Sequence, residues 1–196
     1  MRTILCYGDS NTFGWSADGY RLEYHERWTG ILQKKLGDSF RVIEEGLGGR
    51  TTRRDDIDAP GRNGLEYIIP CVQSHQPIDL IVLMLGTNDM KRVYQTSAEN
   101  IANGVGEIVH TLCNPLNWDS RKKPEILVIS PPRIHEDVVL NPGADALFGS
   151  DSIKLSQELP DKLKTVLSYF DAHFYNATEV VTASGKDGIH LDAELH

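Results

Sequence analysis

The sequence predicts an α/β fold in which a parallel sheet is wound with helices on both faces. Three observations point to it. Short, nearly all-apolar segments recur along the 196 residues, segments with helical spacing of apolar residues separate them, and each apolar segment runs into Gly, Asp, Asn or Pro. An all-apolar strand marks a sheet covered on both sides, because neither of its faces meets water. One core serves chains up to roughly 250 residues, so a single domain over 1–196 is expected. No repeat, low-complexity tract or linker divides it.

The first strand is Thr3 to Tyr7, closed by Gly8 and followed by a loop containing Gly14, Asp18 and Gly19. In ERWTGILQKKLG, Trp28, Ile31, Leu32 and Leu36 fall on one helical face and Gly37 is placed to cap the end. FRVIEEG reads as a second strand, leading into the turn GLGGRTT. The segment from Asn63 is helical, with a kink or break expected at Pro70 because proline has no N–H for the helix ladder. DLIVLML, from Asp79 to Leu85, reads as a central strand that stops at GTND. Ala98 to Leu112 is the next helix, and EILVISPP is a further strand closed by Pro131 and Pro132. The stretch from Arg133 to Gly149 lacks periodicity and reads as a long loop. Ser152 to Phe170 has an apolar stripe through Ile153, Leu159, Leu163 and Val166, with Pro160 as an irregularity, and a short strand at His173 to Asn176 leads to DGIHLDAELH. In such sheets ligands bind beyond the carboxyl ends of the strands, where YGDS, GLGGRTT, LGTND and SPP all fall.

Composition narrows the function classes. A net charge of −8 repels phosphates, so neither a nucleic acid nor an anionic membrane surface is an expected partner; a small neutral molecule is. Cys6, Cys71 and Cys113 are an odd number, widely spaced and without CxxC, which suggests neither a disulfide framework nor a zinc site and points to a reducing compartment. No charged-then-apolar leader precedes Ile4 and no apolar run approaches the roughly 20 residues of a membrane span. A cytoplasmic location is the expectation.

Ser10 is the first candidate for chemistry. A serine hydroxyl is a weak nucleophile unless a base takes its proton, so it needs a histidine and a group to orient that histidine. Asp187 and His190 in DGIH supply both, at a spacing one turn can close. Taken alone, a Gly-Asp-Ser after a strand is more often a turn or helix N-cap, and a DxxH is as weak a signal. Acyl transfer also requires donors aimed at the developing oxyanion. The backbone N–H groups of Ser10 and Gly49 and the Asn88 amide are candidates, although Asn88 by itself reads as an ordinary turn residue. Four parts of one acyl-transfer site at separate strand ends raise the odds for all four.

These residues resemble the GDSL, or SGNH, hydrolase superfamily. Ser10 in YGDSNT matches its first block, Gly49 in GLGGRTT the second, Asn88 in LGTND the third, and Asp187 to His190 the last, in family order from Ile4 to His190. Within it, ILCYGDSNTFGW, RWTGILQ, VIEEGLGGRTT, LMLGTND and VISPP are similar to the bacterial arylesterase and acetyl-transferring esterase branch. The resemblance implies a flavodoxin-like three-layer α/β/α sandwich and hydrolysis of short-chain, acetyl-type esters of aryl or sugar alcohols. An acyl-enzyme would form on Ser10, with Asp187 and His190 completing the triad, and no cofactor is needed. It also implies a homo-oligomer. The alternatives are an acyltransferase or perhydrolase passing the acyl group to alcohols or peroxide, and a catalytically silent binding or assembly protein. Six residues follow His190 where the family usually adds a helix, and HLDAELH resembles its start. A shortened protein or a gap covered by another surface is expected, with a less rigid loop at Asp187 and His190.

Other residues carry blander readings. Asp9 is expected to hold its turn through backbone N–H groups, and Trp15 either walls a substrate pocket or packs under the loop. Thr51 and Thr52 read as turn ligands, and Arg50, Arg53 and Arg54 as a solvated face or an oligomer contact. Asp55, Asp56 and Asp58 lack the spacing of a calcium loop and read as surface charge. His25, His75, His110, His135 and His173 show no metal-ligand pairing, so no metal is expected.

Overall fold

The computed structural model describes residues 1–56, 59–119 and 123–196. Its sheet has five strands, all parallel, in the order β2-β1-β3-β4-β5: β1 is Arg2–Gly8, β2 Phe40–Gly46, β3 Leu80–Met84, β4 Glu125–Ile129 and β5 His173–Tyr175. Among the described residues six α-helices accompany them: α1 Ser10–Phe13, α2 Trp28–Leu36, α3 Gly64–His75, α4 Ala98–Cys113, α5 Pro142–Leu147 and α6 Asp151–Leu167. The chain runs outward from β1 to β2 and then returns past β1 to β3. That reversal opens a crevice at the carboxyl ends of β1 and β3, where ligands bind in this class of sheet.

The side-chain period of two sorts β1 between two layers. Leu5 and Tyr7 join Ile81 and Leu83 of β3 beneath α3, α4 and α6, whereas Ile4 and Cys6 join Val82 on the opposite face with Trp28 and Leu32 of α2. Leu5, Ile81 and Leu83 are fully buried, so each contributes on the order of 1.5–3 kcal/mol by leaving water. This packing fixes the strands, and the strands in turn fix where the loops after them begin.

Three expectations are corrected. The segment after Gly8 is not loop throughout but starts with the single turn α1, because Asp9 accepts from Asn11 N and so satisfies one of the turn's free donors. Of the kink or break expected at Pro70, the break is absent: α3 is one element, since the carbonyl left without a donor is that of exposed Glu66, where water can serve it. The stretch 133–149 is not a loop. It holds a 3-10 helix, Glu136–Leu140, and α5, whose start is set by Asn141 Oδ1 accepting from Gly143 N and Ala144 N, with Pro142 at the first turn. Among the described residues no helix is long and apolar enough to cross a membrane.

Candidate functional site

The site is built at the carboxyl edge of the sheet, beginning with the turn from β1 into α1. Ser10 is the first residue of α1 and is only 7% exposed. Its turn lies directly on the end of β2, where a Cβ at Gly46 would stand 2.1 Å from Phe13 N. Only a residue without a side chain lets α1 sit there.

The last loop of the chain reaches the same point. His190 Nε2 lies 3.0 Å from Ser10 Oγ, and His190 Nδ1 lies 2.6 Å from Asp187 Oδ2. The other carboxylate oxygen of Asp187 accepts from Ile189 N at 2.8 Å and His190 N at 2.9 Å. Burial by itself would raise the Asp187 pKa. The hydrogen bonds from the His190 ring and from the two backbone N–H groups outweigh it and hold the carboxyl below its ordinary value. Asp187 is therefore an acceptor at neutral pH, which makes Nδ1 the donor and leaves Nε2 to accept from the serine hydroxyl. A hydroxyl so placed can pass its proton to the imidazole as it attacks an electrophile.

What holds this loop was not apparent from motif reading. Asn11, 1% exposed, accepts from Leu191 N at 3.1 Å and donates through Nδ2 to Ile189 O at 3.4 Å, so the residue after the serine straps the histidine loop to α1. On the other side His135 N donates to Gly188 O at 3.0 Å, and Ser184 N donates to His190 O at 2.8 Å. Gly188 has φ +79°, and a Cβ there would stand 2.5 Å from Val138 Cα. Although residues 191–196 form no helix, the loop is thus braced from both sides, contrary to the looseness expected after His190. The signal available in sequence was an amide beside the candidate serine; its partner lies about 180 residues away.

The second half of the crevice comes from the loops after β2 and β3. Asn88 Nδ2 donates to Arg50 O at 3.1 Å, which orients the amide and leaves its second N–H to point elsewhere. Arg50 is no part of a solvated face: it is 2% exposed, lies 4.1 Å over the Tyr7 ring and donates through Nη1 to Gly8 O at 2.9 Å and to Glu45 O. One guanidinium therefore ties together the ends of β1 and β2 just before Gly49, whose φ is +80°. Arg53 and Arg54 do lie nearer the surface, with Glu107 and with Thr96 and Tyr94. Thr52 is more than a turn ligand, since its N and Oγ1 donate to Asp89 at 2.9 and 2.6 Å and join the β2 and β3 loops.

Burial raises both acidic groups flanking this crevice. Desolvation pushes Asp9 up to about 6, against the pull of the hydrogen bond from Asn11 N and of the Arg50 guanidinium, and pushes Asp89 up to about 6 despite its bonds from Thr52. Trp15 is 38% exposed, and its N donates to Ser10 O, which keeps it beside the site. Asp56 pairs with Lys91 at 3.7 Å, and Asp58 lies outside the described residues. His75 departs from expectation: its Nε2 is 2.8 Å from Glu45 Oε1, and Glu45, Cys71 and His75 each offer a metal-ligating atom in one cluster. Cys71 and His75 share a face of α3, four residues apart, and only packing brings Glu45 of β2 to them.

Residues 6–196 match the GDSL-like lipase/acylhydrolase family. No curated protein sequence matches. Among solved structures, a carbohydrate acetylesterase from Sinorhizobium meliloti superposes with a TM-score of 0.93 at 34% identity, covering 100% of this chain and 93% of its own. A carbohydrate acetylesterase family member from the same organism gives 0.90 at 36%, covering 99% and 91%. The aryl esterase of M. smegmatis in its inhibitor-bound form gives 0.92 at 34%, covering 99% and 92%.

Proposed function

Because the chain belongs to the GDSL-like lipase/acylhydrolase family and has the SGNH hydrolase α/β fold, a carboxylic ester hydrolase, we propose that it cleaves short-chain, acetyl-type esters of aryl or sugar alcohols through an acyl-enzyme on Ser10. The observation that carries this reading is the 3.0 Å approach of His190 Nε2 to Ser10 Oγ. The acetylesterase and aryl esterase neighbours support the substrate class.

Ser10 Oγ attacks the ester carbonyl while His190 Nε2 takes its proton, and Asp187 stabilises the imidazolium that forms. Negative charge developing on the carbonyl oxygen is met by Ser10 N–H, Gly49 N–H and the free N–H of the Asn88 amide. Arg50 O already holds that amide in orientation, so little reorganisation is needed as charge appears. His190 then protonates the leaving alkoxide, and it activates the water that releases the acid. Trp15 stands beside Ser10 as a wall for the acyl or aryl group.

Hydrolysis of p-nitrophenyl acetate and of acetylated sugars by the Ser10→Ala variant is the test. Its turnover falls by roughly 10³-fold or more relative to the unaltered protein. A fluorophosphonate adds one adduct to the unaltered protein, seen by intact mass, and none to the variant. Full activity in the variant would overturn the reading, and a reagent-inert Ser10 would favour a silent member of the fold.

A further inference from the structure

Away from Ser10, a second cluster of chemically competent side chains lies where α3 packs on the outer strand β2. Cys71 and His75 stand one helical turn apart on α3, and Glu45 is the penultimate residue of β2. The cysteine sulfur, a histidine ring nitrogen and a glutamate oxygen lie within 4.8 Å of one another. Neither helix capping nor core packing requires a thiol, an imidazole and a carboxylate to converge. A thiol at a fully buried position is otherwise replaceable by any small apolar group.

We infer that Glu45, Cys71 and His75 form a binding site for a divalent, thiophilic transition metal of the zinc class, with a water in the fourth position. The donor set is of the kind zinc takes, one sulfur, one nitrogen and one oxygen. Tetrahedral bonds of about 2.0–2.3 Å separate ligand atoms by roughly 3.5 Å. The 2.8 Å contact between His75 Nε2 and Glu45 Oε1 must therefore open slightly, and the two side chains must close on the sulfur by up to about 1.3 Å. Small rotations of two half-buried side chains accomplish this. On binding, the Cys71 S–H bond breaks, its proton passes to solvent, and S, N and O each give an electron pair to the ion.

Charge and access are consistent with this assignment. Thiolate and carboxylate together carry −2, which neutralises the ion, so the Arg50 guanidinium seated on Glu45 O meets a neutral centre. His75 and Glu45 side chains are 28% and 20% exposed while Cys71 is buried, so the ion enters past the imidazole and carboxylate, and the open coordination position faces solvent. The cluster does not contain Ser10 or His190, so metal occupancy and ester cleavage are separately measurable.

The full chain, stripped with a chelator and titrated with Co(II) as an optical probe, tests the assignment. One equivalent binds with a thiolate-to-cobalt charge-transfer band, and Zn(II) displaces it and bleaches the band. Cys71→Ser and Cys71→Ala abolish the band, while His75→Gln, at a half-exposed position that leaves folding intact, weakens cobalt binding at least tenfold. At the same concentration Zn(II) raises the thermal midpoint of the unaltered protein more than that of His75→Gln. Absence of a band at saturating cobalt, or a band surviving both Cys71 substitutions and so belonging to Cys6 or Cys113, would overturn the inference.

Discussion

Substituting Asn11 by alanine separates the positioning of His190 from its chemistry. The asparagine hydrogen-bonds the backbone of Ile189 and Leu191 on either side of His190, so besides the Ser10–His190 contact its two bonds tie α1 to the loop that carries the histidine. Removing it leaves Leu191 N–H and Ile189 C=O without partners at positions that are 5% and 7% exposed. An orphaned buried polar group costs about 1–3 kcal/mol. The 3.4 Å bond sits at the long limit and counts at the low end, so the sum is roughly 2–4 kcal/mol of stability. The loop keeps its bonds from His135 N and Ser184 N, so it shifts rather than unfolds. A displacement of about 1 Å at a reacting group costs on the order of 10²-fold in rate. The expected result is a folded protein whose urea midpoint falls by the equivalent of that energy and whose kcat on p-nitrophenyl acetate falls roughly 10- to 100-fold with KM nearly unchanged. Turnover is measured well below the denaturation midpoint so that unfolding does not mimic the effect. A variant with the predicted loss of stability but kcat within twofold of the original would refute the strap as a positioning device and leave it purely structural.

Other substitutions probe the remaining parts. Asn88→Ala removes one oxyanion donor and lowers kcat roughly 10²- to 10³-fold on the same ester; it also takes the buried donor from Arg50 O, at about 1–3 kcal/mol of stability, so turnover is measured well below the denaturation midpoint. Gly188→Ala combines a strained φ of +79° with a Cβ 2.5 Å from Val138 Cα, and should cost on the order of 2 kcal/mol or more in a denaturant titration. Asp89, raised from 3.8 to about 6, stabilises the fold below its unfolded pKa, and that contribution is lost as pH rises through 6. About two pKa units correspond to roughly 3 kcal/mol, so Asp89→Asn should gain up to that amount relative to the unaltered protein between pH 4 and pH 8. Parallel stability curves for the two proteins across that range would contradict the assignment of a buried, reluctant carboxylate.

How much of this was legible in sequence differs from residue to residue. Leu5, Ile81 and Leu83 announce their strands because burial on both faces demands apolar side chains at consecutive positions, a local property visible without a fold. Asn141 and Pro142 misled, since the same residues that interrupt periodicity also start helices, and only the bonds from Gly143 N and Ala144 N distinguish a cap from a turn. Arg50 misled for a related reason: beside Arg53 and Arg54 it looks solvated, but one of the three is drawn inward by Tyr7 and by two strand-end carbonyls.

The amino-acid order alone determined the alternation of strands and helices, hence a parallel sheet, and it placed a serine, a glycine, an asparagine and an Asp-His pair at separate strand ends. These are consequences of short-range periodicity and turn chemistry. The tertiary structure alone decided that Ser10 and His190 stand 3.0 Å apart, that Asn11 and Gly188 brace their meeting, and that Glu45 faces Cys71 and His75. Such contacts join residues up to about 180 positions apart, and their partners are selected by the return of the chain across the sheet, a property of the packed strands together and of no single segment.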